Sequence, residues 1–432
     1  MDSVRLQRLE RLLKGDSAMT TLNINPQNKK MILSIDGGGM RGMITVAMLA
    51  ELEDMTGKPC YELFDLVAGT STGSIIAGGI GLGLTANFML EEIYRKRLPN
   101  AFRSQSDGIL KWIRYVFNGL RYMYSLKPFI DTMSDLAANK TVFDLGKIDP
   151  ALTYPVNPHD TSVIDQRKPT VLMTTTDVRT SDTYYIVSQG PGAKKFASWP
   201  VAGAIGASGA APIYFPPVLG NFVDGGVGVY GNPCLAATIE AMEYIGKNES
   251  RQAAGDPGFV DDNVIHFSFG TGYTPGEKPD GAARNFWLKD WVEYIIFAGM
   301  GQAALQQVLS TRAIYGKRID FRRYNPYLKK ETVEAELGIS LKDRPDPSKL
   351  SLDSADEEAV RLMEEIGRAY ARTLFKNQIN GLSRWEEPGY MPWKTVLVGG
   401  EKQYIGQDGG HPLPNPTPEQ TSFDSTRFFA EG

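Results

Sequence analysis

The stretch Gly69-Thr70-Ser71-Thr72-Gly73 constrains this chain more than any other. The apolar run Leu63 to Ala68 before it predicts a buried strand, and Ser74 to Ile80 after it predicts a helix. The motif is therefore a strand, a tight turn and a helix. Glycines on both sides of Ser71 remove the side chains that would collide at such a turn, so the serine hydroxyl can project above the sheet edge. Glycine and serine are also ordinary turn residues, so the motif acquires chemical meaning only with partners elsewhere.

A second strand-turn-helix precedes it. Met31 to Ile35 runs into Asp36-Gly37-Gly38-Gly39-Met40-Arg41-Gly42 and then a helix from Ile44 to Met55. Backbone N–H groups at such a helix start suit an anion, either a phosphate or the oxyanion of a tetrahedral intermediate. Further along, residues 169–177 and 183–188 read as strands paired across a turn. Residues 200–212 form a helix of tiny side chains, and Phe222 to Asp224 a short strand closed by Gly225 and Gly226. Val264 to Phe269 is another apolar strand, ending in Gly270-Thr271-Gly272. Helices are expected at Thr85 to Arg97, Trp287 to Leu309 and Ser354 to Leu374, the last with acids early and Arg368 and Arg372 late.

At 432 residues the chain has ample material for a core, and its net charge of −4 does not suggest a nucleic-acid partner. Cys60 and Cys234 are too few for a disulfide framework and lack metal-ligand spacing, so both are expected to be inert thiols, with no metal and no cofactor. No apolar run is long enough to cross a bilayer and no signal peptide is evident, which predicts a soluble, cytoplasmic protein. Residues 4–13 predict a short basic amphipathic helix, followed by a linker. Ile109 to Phe129 interleaves Trp112, Tyr115, Phe117, Tyr122, Tyr124 and Phe129 with Lys111, Arg114, Arg121 and Lys127. That mixture suits a bilayer interface, and predicts a flap beside the active-site mouth in transient contact with membrane; the alternative is a helix whose aromatics are core. Past Leu382 a proline-bearing stretch reads as an extended tail.

A nucleophilic serine needs a base, usually histidine. The histidines are His159, His266 and His411: one in a Pro-Asn-Pro-His-Asp loop, one inside a buried strand where a core role is expected, one in the proline-rich tail. None follows a strand as a triad histidine does. The base must then be a carboxylate, and Asp224, at a strand end before glycines, is the acid best placed.

Taken together, the Asp-Gly-Gly-Gly-x-Arg-Gly turn, the Gly-x-Ser-x-Gly elbow, Ala-Ser-x-Ala-Ala-Pro-x-x-Phe-Pro-Pro, Asp-Gly-Gly and Ser-Phe-Gly-Thr-Gly resemble the patatin-like phospholipase family over roughly residues 30–275. The resemblance implies a three-layer α/β/α fold with a central, mostly parallel sheet. It implies a Ser-Asp dyad, with Ser71 as nucleophile and Asp224 as base. Gly37, Gly38 and Gly39 would supply oxyanion-hole N–H groups, and Arg41 would contact substrate. The implied activity is hydrolysis of acyl esters in membrane phospholipid or another acyl lipid. Two alternatives stand beside it: a phospholipase gated by a small nucleotide or protein activator, as in bacterial antiphage defence, and a nucleotide domain whose two glycine turns cradle phosphates. The expected division is an N-terminal helix and linker at 1–28, a catalytic domain at 29–380 and a tail at 381–432.

Overall fold

In this computed structural model the strand before the glycine-rich turn, β1 (Lys30–Ile35), lies in the middle of the sheet. The structure describes residues 22–103, 122–146, 169–190, 195–246, 258–274 and 299–375, some isolated positions between them, and two strands at 394–398 and 401–405. The expected N-terminal helix, Trp112, Tyr115, Phe117, Arg114 and Arg121, His159, His411 and most of the tail lie outside the described residues.

From β1 the chain passes through helix α1 (Gly42–Thr56) to β2 (Leu66–Gly69), then α2 (Thr72–Gly81) and α3 (Lys127–Ala137). β3 (Thr170–Asp177) and β4 (Asp182–Val187) form a hairpin, followed by α4 (Val201–Gly209), β5 (Phe222–Asp224), α5 (Cys234–Ile239) and β6 (Val264–Phe269). Last come α6 (Gly299–Tyr315), β7 (Asp320–Tyr324) and α7 (Glu357–Phe375). Seven of the described strands form one sheet in the order β4-β3-β2-β1-β6-β7, with β5 on β3. β1, β2, β3, β6 and β7 run parallel, while β4 and β5 oppose β3. β8 (Lys394–Val398) and β9 (Glu401–Ile405) make a separate hairpin in the expected tail.

Side chains alternate across the sheet as period two requires. Met31, Leu33 and Ile35 pack with Ile44, Ile76, Ile205 and Met363 in one layer. Ile32, Leu66 and Leu172 pack with Cys234, Ala237 and Val308 in the other. Helices therefore cover both faces, which is the expected three-layer arrangement, and explains why β1 is buried along almost its whole length. Order reverses at β1, where the chain moves to β2 on one side and later to β6 on the other. Ligands of such sheets collect at the carboxyl ends of the strands beside that reversal.

Several local readings needed correction. Tyr124 and Phe129 are buried, and Tyr124 packs against Phe102, Tyr214 and Phe215. The backbone there bonds to Ile213 and Tyr214, so Tyr124 and Phe129, at the described end of the aromatic segment, follow the core alternative. The helix expected over Thr85 to Arg97 does not stop there. It runs in wide π turns over Met89–Arg97 and continues through Leu98–Arg103, where Pro99 falls near the start of a new segment. Leu63 closes a short helix, Cys60–Leu63, before β2 begins. The helix placed at 287–309 is described from Gly299 and extends to Tyr315.

Candidate active site

Ser71 sits between the end of β2 and the start of α2 with φ 55° and ψ −123°, a backbone state that costs a non-glycine residue free energy. Its surroundings enforce it. A Cβ on Gly69 would lie 2.0 Å from the Gly73 carbonyl oxygen, and one on Gly73 would lie 2.4 Å from that of Ile35. Only glycine lets strand, turn and helix approach this closely. The turn is then tied down from several sides. Ser71 N–H donates to Ser208 Oγ on α4 (3.1 Å), and Ser74 Oγ donates back to the Ser71 carbonyl (2.6 Å). Thr70 Oγ1 donates to the Tyr230 carbonyl (2.6 Å) and meets Thr174 Oγ1 of β3 (2.7 Å), while Thr72 Oγ1 meets the Tyr94 hydroxyl (2.6 Å). Thr70 and Thr72 thus hold the elbow from either side of Ser71.

Register brings Asp224 to the serine. Gly69 pairs with Met173, so the ladder extended by two residues sets Ser71 level with Thr175, and Thr175 is the partner of Asp224. The Asp224 N–H donates to the Ala210 carbonyl (3.0 Å), and its Oδ1 accepts from Gly226 N–H (2.8 Å). Gly225 lies against Thr174, where a Cβ would fall 2.2 Å from Oγ1. Asp224 is fully buried, and burial pushes its carboxyl up to about 6 against the opposing effects of the Ser71 hydroxyl and the Gly226 N–H. Oδ2 has no partner in hydrogen-bonding geometry among the described residues.

The glycine-rich turn forms the third wall. A Cβ on Gly37 would lie 3.2 Å from Ser71 Cβ, so this backbone passes directly beside the serine. The N–H of Gly37 is already committed to the Gly231 carbonyl (2.9 Å), which corrects the expectation that it is an oxyanion donor. Met40 N–H is committed to the Leu352 carbonyl (2.7 Å) and Arg41 N–H to that of Gly38 (3.1 Å). The N–H groups of Gly38 and Gly39 have no backbone acceptor among the described residues. Gly39 has φ 55°, and a Cβ there would meet the Leu352 carbonyl oxygen at 2.2 Å. Arg41 is half-buried; its Nε is buried and unpartnered among the described residues, and burial pulls its guanidinium down against the nearby charge of Asp36.

Two further residues lie beneath this turn. Arg323 on β7 makes a two-pronged ion pair with Asp36 (2.7 and 2.5 Å), and Thr271 Oγ1 donates to the Gly37 carbonyl (2.9 Å). Thr271 belongs to a glycine motif that was visible, whereas nothing in the local sequence marks Arg323. His266 is wholly buried between Thr238 and Ser34, with both ring nitrogens engaged at 2.9 Å, and burial pulls it down to about 3. It is a neutral core residue, as expected. Both cysteines are free and buried, and burial pushes their thiols up, which makes them poor nucleophiles. No cluster of metal-ligating side chains occurs among the described residues.

These features can be set beside known proteins. The family model described as patatin-like phospholipase matches residues 33–238. Phospholipase A I of Arabidopsis thaliana is 28% identical over 389 residues, covering 79% of this chain and 27% of that protein. The cUMP-AMP-activated phospholipase of Escherichia coli is 44% identical over 75 residues, 17% of this chain and 23% of that protein. Human calcium-independent phospholipase A2-gamma is 30% identical over 217 residues, 48% of this chain and 25% of that protein. The chain thus spans about a quarter of the length of each of these relatives. The matched span holds the glycine-rich turn, the serine elbow and Asp224: residues 33–238 of this chain are a patatin-like phospholipase domain.

Proposed function

We propose that this chain hydrolyses acyl esters of membrane phospholipids or related acyl lipids through a Ser71–Asp224 dyad. The observation that carries the reading is the convergence of three things: a serine held at φ 55°, a buried carboxylate with a free oxygen, and two uncommitted glycine N–H groups. Asp224 accepts the Ser71 hydroxyl proton as Oγ attacks the ester carbonyl carbon. The developing oxyanion faces the N–H groups of Gly38 and Gly39, donors fixed in place before the reaction begins. Collapse of the tetrahedral intermediate expels the alcohol, which takes the proton from Asp224 and leaves an acyl-serine. A water molecule then repeats the sequence, giving its proton to Asp224 and releasing the fatty acid and Ser71. In this reading Arg41 would supply the positive charge for a headgroup phosphate, an interaction available to a lipid ester and absent from a simple one.

Because such substrates lie in bilayers, the reading includes transient contact with a membrane surface. No helix among the described residues is long and apolar enough to cross one. The relatives from Escherichia coli and Vibrio cholerae are named for activation by cyclic nucleotides, so a gated form of the same hydrolase is the alternative. Mass spectrometry of a defined phospholipid mixture before and after incubation tests the proposal, with and without cyclic dinucleotide. Equimolar fatty acid and lysophospholipid, or complete deacylation, is the expected result. An unchanged mixture under every condition would overturn it, and activity confined to the nucleotide arm would select the gated form.

A further inference from the structure

We propose that the buried Asp36–Arg323 pair fixes the glycine-rich turn in its oxyanion-binding shape, which makes Arg323 a positioning residue for the reaction. The inference rests on the hydrolase reading above and adds a residue from outside the matched span of 33–238. Arg323 lies on β7, two strands from β1, and reaches across β6 beneath the sheet's carboxyl edge. Its Nη1 and Nη2 take both oxygens of Asp36, and Nη1 also donates to Ser268 Oγ of β6 (3.0 Å). Asn232 Nδ2 donates to the same Ser268 Oγ (3.0 Å), and the residue before Asn232, Gly231, supplies the carbonyl that takes Gly37 N–H. The contacts therefore close a ring from Asp36 through Arg323, Ser268, Asn232 and Gly231 back to Gly37. All four side chains in it are buried.

The ring grips both ends of the Asp36–Gly37 peptide. With the side chain of Asp36 held from below and the N–H of Gly37 turned toward Gly231, the next two N–H groups are the ones left for the oxyanion. A purely structural role would be to attach β7 to the sheet. β7 already pairs with β6 along its whole length, from Asp320 opposite Ile265 to Tyr324 opposite Phe269, and needs no ion pair for that. Burying two charges is also an expensive means of attachment, since apolar replacements of similar size are often as stable. What apolar side chains cannot do is orient the peptide that precedes the donors.

The test uses Asp36→Asn/Arg323→Met, which removes both charges of the pair together, and Arg323→Lys, which keeps charge without the two-pronged geometry. For each, kcat and KM are measured on a soluble p-nitrophenyl ester, with Ki for a trifluoromethyl ketone of the same acyl length and the melting temperature. The ketone adds to a serine as a tetrahedral oxyanion, so its affinity reads the oxyanion site directly. In the double variant kcat should fall about 100-fold and Ki rise by a similar factor, the size expected for a misplaced oxyanion donor. KM and the acid limb of the pH profile should stay put, and Arg323→Lys should fall between. A folded double variant with near-normal kcat overturns the proposal, as does a loss of kcat with Ki unchanged. If the double variant does not fold, Arg323→Lys decides by the same comparison. Wild-type protein inactive on every ester, with and without cyclic dinucleotide, overturns the hydrolase reading itself, whereas active wild type with unaffected variants overturns only the pair.

Discussion

In the proposed reaction Ser71 and Asp224 act as one unit. Ser71→Ala and Asp224→Ala should each lower ester hydrolysis by several orders of magnitude, and the double variant should resemble either single one, because members of such a unit are not additive. Steady-state rates with circular dichroism of each variant check this. Acidity gives a second handle. Only the ionised form of Asp224 accepts a proton, and its carboxyl is pushed up to about 6, so kcat/KM should rise about tenfold per pH unit below that value and level off above it. The same shift bears on stability. A carboxyl that holds its proton more tightly in the fold than in the unfolded chain makes the charged form a burden, which appears above 3.8 and is complete above about 6. Asp224→Asn should therefore melt higher than wild type at pH 8, by up to about 3 kcal/mol, with the gain shrinking toward pH 4. The serine and the acid were legible in the sequence because each is flanked by glycines that a local steric argument explains. That Gly37 spends its N–H on Gly231, and that Arg323 belongs to the site, was not legible, since both facts depend on partners remote in the chain.

At the scale of elements, strands and helices with uniform local character were read with small errors at their ends. β6 is an unbroken apolar run, and α7 carries a clear amphipathic pattern. β7, Asp-Phe-Arg-Arg-Tyr, gives no such signal, because its arginines serve a buried ion pair and a contact with Asp320 instead of a solvent face. Composition left the segment that ends in Tyr124 and Phe129 open between a membrane surface and core; what buries these two is pairing with the chain at 213–215 and packing against Phe102 and Phe215, which composition cannot express. Phe129→Ser should accordingly lower the melting temperature and reduce rates on vesicles and on a soluble ester alike. The packing of α7 on α1 supplies a sharper test. A Cβ on Gly367 would lie 2.3 Å from the Ile44 carbonyl oxygen and 2.8 Å from Ala47 Cβ, so the two helices touch backbone to side chain. Gly367→Ala should cost roughly 1–3 kcal/mol in thermal or denaturant unfolding, while kcat measured well below the melting temperature stays near wild type.

At the scale of the whole molecule, the sheet gathers β1, β2 and β6 so that the glycine-rich turn, the serine elbow and Thr271 all emerge at one edge, and β5 delivers Asp224 to the same place from the opposite direction. The chemistry proposed there uses only groups of the chain and water, so hydrolysis of a soluble ester should survive a strong chelator unchanged. A loss restored by added calcium would reveal an ion in the reaction. The central claim is that Ser71 is a nucleophile activated by Asp224, and covalent labelling with a fluorophosphonate, followed by peptide mass spectrometry, tests it most directly. The account predicts a single adduct on the peptide carrying Ser71, absent from Ser71→Ala and formed far more slowly by Asp224→Ala. An adduct on a different residue, or labelling of Ser71→Ala at the wild-type rate, would contradict it.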